Sequence, residues 1–277
     1  MKNLKISLII LFAIIISILL IFLVKNINNS NDSSQNDKLI SEINFMDSKL
    51  TSLLNRVNSI TLENYKVTVI KTSTNQNQES GSNENKTEDN PEQYGLEANS
   101  ILTGDSEVDW NEIQNEIETL YAIIPTMTLD LYNMNINQED ILNFNKELDQ
   151  LTVAVKNKDK ENTLIKLANL YRYLPAYASN FSTDSNYLSL LETKSNIFKS
   201  YVFVNIDNWD EAYNYTSNSI ESFSRALNSI QGNKKYDTNK IYIILNEILS
   251  AVNIRDKDVF LIKYKSFIEE AERQNSR

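Results

Sequence analysis

Two carboxyl side chains at a suitable separation can hydrolyse a glycosidic bond, one as general acid and the other as base or nucleophile. Glu112, Glu116, Glu118, Asp130, Glu139 and Asp140 supply candidates in one stretch. Nothing in their spacing singles out a pair, and a solvated acidic helix face accounts for them more simply. Asp256 and Asp258 have the alternate spacing that opens a calcium loop, but Phe260 and Leu261 follow where a ligand and a glycine are required. The chain has no Cys and no His. That removes disulfides, thiol nucleophiles, imidazole or thiolate zinc sites and Ser-His-Asp triads. A di-iron bundle would need Glu-x-x-His and is excluded on the same ground. We therefore expect no metal, no cofactor and no catalytic residue.

Aromatic side chains are the other candidates. Tyr171, Tyr173 and Tyr177 cluster around Pro175, and Tyr213 follows Trp209. Tyr and Trp are common in binding surfaces because a large apolar body carries a polar tip. These five form the candidate binding surface, with helix packing as the plainer use of the same residues. The net charge of −10 argues against a nucleic-acid partner.

The elements that would hold these residues read as helices. Only four Gly and three Pro occur, too few for a fold with frequent tight turns. Leu39, Ile43, Met46, Leu50, Leu53, Val57 and Ile60 step by four and three, an apolar seam of about three heptads. That seam suits either a bundle helix or a homodimer stalk through residues 39–60. Tyr65, Val67 and Val69 alternate with polar residues, as a short strand or a fraying helix end would. Residues 72–104 are polar and acidic with little to bury, and disorder is expected there. From residue 105 to 277 the apolar residues recur at helical spacing, and Asp159 is placed to cap a helix after a tight connection.

The chain also resembles itself. Leu148–Leu167 aligns without gaps on Leu245–Tyr264 with eight identities in twenty, at an offset of 97. Asp159 and Asp256 coincide in that alignment. Asp109-Trp110 and Asn208-Trp209 correspond at a similar offset. The pattern suggests repeats over 105–180 and 206–273, each a Trp-bearing helix followed by a hairpin.

Residues 6–24 are an unbroken apolar run with no charge. At about 1.5 Å per residue it is roughly 28 Å long as a helix, enough to cross a bilayer core. Its length and the lack of a small-residue cleavage triplet favour an uncleaved anchor over residues 1–25. Lys2 and Lys5 against Lys25 favour a cytoplasmic N-terminus and an extracytoplasmic body. Residues 26–37 read as a polar spacer and 38–71 as a membrane-proximal amphipathic helix. The expectation is an all-α chain: a single transmembrane helix and a helical bundle in the cell envelope. Its expected work is non-catalytic interaction or scaffolding, with ligand sensing through the tyrosines as the alternative and a carboxylate hydrolase last.

Overall fold

A computed structural model describes residues 35–58, 65–70, 93–98, 108–134, 136–227 and 234–275. Nine helices lie among these: α1 (35–57), α2 (Trp110–Asn133), α3 (Gln138–Lys156), α4 (Lys160–Tyr171), α5 (Tyr173–Ala178), α6 (Ser185–Asn205), α7 (Trp209–Leu227), α8 (Lys234–Ile254) and α9 (Lys257–Asn275). The all-helical character of the body is as expected. One antiparallel ribbon accompanies it, β1 (Tyr65–Ile70) against β2 (Gln93–Ala98), with Tyr65 opposite Ala98 and Ile70 opposite Gln93. The alternating stretch at residue 65 is thus a strand, and the acidic insert contributes its partner.

Residues 6–24 lie outside the described residues, as do the spacer up to residue 34 and most of the insert. Among the described residues no helix is long and apolar enough to cross a membrane.

Local chemistry explains where the helices begin. Asp109 accepts from the Asn111 and Glu112 amides, Asp159 from Asn162, and Asp184 from Asn186 and Tyr187. Each carboxylate satisfies donors that a helix start leaves free. Pro125 lies inside α2 without ending it.

Three of the connections share one turn. In Ala154-Val155-Lys156-Asn157-Lys158-Asp159 the Lys158 amide donates to the Val155 carbonyl (2.9 Å) and the Asp159 amide to Ala154 (3.0 Å). The Asp207 and Asn208 amides repeat this toward Val204 and Phe203, and the Arg255 and Asp256 amides toward Val252 and Ala251. Lys158, Asp207 and Arg255 all have φ between 54° and 59°. This is a Schellman ending with a non-glycine residue in the left-handed position, followed directly by the next helix's N-cap. The self-similar stretches α3–α4 and α8–α9 thus share this turn, and α6–α7, which the gap-free alignment did not include, has it too.

Helix α1 runs antiparallel to α2. Lys38 near its start reaches Asp130 near the end of α2 (2.6 Å), and Arg56 near its end bonds Glu112 and Glu116 near the start of α2. Leu39, Ile43, Met46, Leu50, Leu53, Leu54 and Val57 are at most 1 % exposed within the single chain. They belong to one core cluster with residues of every helix from α2 to α9. The seam from Leu39 to Val57 is therefore packed within the chain's own bundle, the bundle-helix alternative, while Ile60 lies outside the described residues. Leu54, next to the seam, is buried as well and widens the apolar face beyond a two-helix seam.

Candidate functional site

The most concentrated chemistry is inside the bundle. Asp47, Thr51 and Asn55 follow one another at intervals of four along α1, and all three are buried. Lys194 from α6 and Tyr171 from the end of α4 converge on one Asp47 oxygen, at 2.5 and 2.6 Å. The Lys194 ammonium, wholly buried, also reaches Glu272 of α9 at 2.7 Å. Thr51 bonds Asp47 from the next turn, and the Tyr264 hydroxyl of α9 donates to Asn55 (3.1 Å).

The electrostatics follow from that arrangement. Burial alone would drive Lys194 down, yet Asp47 and Glu272 outweigh it and hold the ammonium above its ordinary value. Burial, and then the Asp47 charge, push the Tyr171 phenol well above its usual range. Lys194 is therefore a fixed cation and Tyr171 a fixed neutral donor. Such a site joins α1, α4, α6 and α9 through charge-assisted bonds. The tight, occupied geometry suits fixing the register of the helices.

The five aromatics of the candidate surface fall in different places. Tyr171 belongs to the buried charged cluster. Tyr173 and Tyr177 are also buried and pack on Phe144, with ring centroids 5.6 and 6.0 Å away. The Tyr177 hydroxyl donates to the Asp140 carbonyl at 3.1 Å. Trp209 opens α7, partly buried against the core, and Tyr213 is exposed. The structure thus brings three of the five together around α4 and α5 and leaves the other two on α7.

The acids sort in a similar way. Glu112 and Glu116 face Arg56, and Glu118 accepts from Gln114 on the surface. Glu139 lies in the first turn of α3. Asp130 meets a second carboxyl, Glu42 of α1, with Lys38 bonded to Asp130 and 3.9 Å from Glu42. Burial, then Asp130, push the Glu42 carboxyl up to about 7. Among the described residues no group of three or more acids is placed to hold a metal ion.

In the sequence Lys194 carries no mark, and Asp47 reads only as a charge flanking the apolar seam of α1. A lone Lys on a helix carries no signal of burial. The Asp47-Thr51-Asn55 stripe, lying beside the apolar seam, was the readable trace of a polar contact inside the bundle. Comparison with protein-family models, with curated proteins and with solved structures gives no match.

Proposed function

We propose that the chain is a single-pass membrane protein of the bacterial envelope whose helical body serves as an interaction or scaffolding module. The anchor rests on the apolar run at residues 6–24, which is the length of a bilayer core. The observation that carries the interaction reading is how the body divides its side chains. Its buried ions and most of its tyrosines join helix to helix, while large apolar groups stand outward on α2 and α3. Leu129, Leu142 and Val153 are 61, 56 and 57 % exposed, and Tyr121 and Tyr132 of α2 are exposed too, as are Ile243 and Ile254 of α8. Tyr121 bonds Asp149 and Thr152 of α3, joining the two helices at their exposed surface. Exposed large apolar groups are what a contact surface offers a partner. The ligand-sensing alternative has less support, because Tyr171, Tyr173 and Tyr177 are occupied by packing.

The test has two arms on the full chain in its native membrane. The chain is expected to resist extraction at alkaline pH and to lose that resistance on deletion of residues 2–25. A photo-crosslinking residue at position 142 is expected to give a discrete protein adduct that Val153→Ser weakens. Release of the full chain by alkali, or an adduct that Val153→Ser leaves unchanged, overturns the reading.

A further inference from the structure

The internal repeat supplies its own control for one cluster of charges. In the α8–α9 hairpin, Lys263 pairs with Glu247 at 2.6 Å. The equivalent pair in α3–α4 is Lys166 with Gln150, and these also bond. The contact is kept with an amide in place of that carboxylate, while Lys166 also meets Glu147 one turn earlier on α3.

Two more cations stand beside that neutral partner. Lys199 of α6 bonds the Asn169 side-chain oxygen, again an amide. Arg172 follows α4, held by the Tyr173 hydroxyl at 3.0 Å and lying over the Tyr173 ring. The carboxylate within the group is Glu147 of α3, 3.3 Å from Lys166 and 3.3 Å from the Asn169 amide nitrogen. Asp140 acts on Arg172 at longer range. Arg172 is exposed, while Lys166 and Lys199 are half-buried at the edge of the α3–α4–α6 face.

The charges feel one another. Burial, and then the cations Arg172 and Lys166, bring the Lys199 ammonium down to about 8, against the opposing pull of Glu147. Positive charge is thus under-compensated here, in a chain whose net charge is −10. Two ammonium groups and a planar guanidinium, steadied by neutral acceptors, are the donor set that phosphate oxygens take up.

We infer that Lys166, Arg172 and Lys199 form a binding site for a phosphate-class oxyanion on the α3–α4–α6 face. The anion adds negative charge to three cations that share the carboxylate of Glu147. The same chemistry is offered by free phosphate and by a phosphomonoester lipid headgroup. This site is independent of the α2–α3 apolar face.

The full chain in neutral detergent is titrated calorimetrically with inorganic phosphate, against chloride at matched ionic strength. In a second arm phosphatidic acid is mixed into the micelles. Saturable binding of either probe is expected, and the arm that binds identifies the source. Gln150→Glu adds a second carboxylate beside Lys166 and is expected to weaken binding at least about tenfold. Glu247→Gln, in the other hairpin, is expected to leave it unchanged. Lys199→Gln gives a second loss-of-charge variant should Gln150→Glu unfold, as judged by circular dichroism. Absence of binding in both arms, or wild-type affinity in folded Gln150→Glu or Lys199→Gln, overturns the assignment.

Discussion

Removing Lys194 is the sharpest test of the buried cluster. Lys194→Met keeps most of the side chain's length and deletes its charge. Asp47 is 2 % exposed, so water cannot replace the cation its carboxylate loses, although Tyr171 and Thr51 still donate to it. Glu272 is about a third exposed on its side chain and can turn outward. Breaking a buried pair from one side costs about 3–5 kcal/mol. Because Tyr171 still donates to Asp47 and Glu272 can be hydrated, we expect the lower end, about 3 kcal/mol. Against a typical domain stability of about 5–15 kcal/mol that is a large fraction. Urea unfolding of the full chain at pH 7, followed by circular dichroism, measures it. Asp47→Asn in the Lys194→Met background removes the stranded charge while keeping an acceptor for Tyr171. The double variant is therefore expected to recover part of the loss, with a coupling of about 2 kcal/mol in the cycle. A cost below about 1 kcal/mol for Lys194→Met, or strict additivity of the two substitutions, would refute the reasoning.

Glu42 should make the body sensitive to pH. Its folded value of about 7 lies above the ordinary 4.5, so the folded state holds the proton more tightly. The sign follows: the contribution is fully present below about pH 4.5 and is lost as pH rises through 7. Allowing for solvent screening, about 1–2 kcal/mol is at stake, and Glu42→Gln should flatten that part of the stability curve in urea titrations. Lys158→Gly relieves a left-handed backbone at φ 54° and should stabilise by about 1 kcal/mol, read as a higher urea midpoint. Asp256→Ala removes the cap that accepts from the Val259 amide and should cost about 1 kcal/mol in the same assay. Leu50→Ala should cost about 2–5 kcal/mol, since Leu50 is 1 % exposed inside one chain. Sedimentation checks the alternative: an intact fold with a lost dimer would return the helix to a stalk.

Much of the helical layout could be read from the residues. The helical recurrence of apolar residues beyond residue 105 and the Asp159 cap mark elements that formed where their chemistry placed them. These are local signals, carried by the periodicity of apolar residues and by side chains that bond their own helix's amides. The repeat was legible for α3–α4 and α8–α9 but hidden in α6–α7. There the turn survives with Asn208 as its cap, while the flanking letters have changed. Strand β2 was concealed by polar surroundings, although Tyr94, Leu96 and Ala98 alternate as a strand requires. The buried cluster was illegible for a different reason. Asp47 and Lys194 are far apart in the chain, and only the packing of α1 against α6 brings them together. Likewise the apolar seam of α1 is the same string of letters whether it meets its own bundle or another copy. The choice between them depends on surfaces formed by residues far along the chain.

Helix α1 comes first among the described elements, yet every later helix contributes to the cluster that encloses it. During synthesis this helix must wait for walls that have not yet been made, and those walls have nothing to close around until it is seated. A fragment beginning at residue 105 would carry eight of the nine described helices and still be a sleeve without its rod. The structural unit therefore includes residues 35–57, well upstream of where the densest run of helices would suggest a cut.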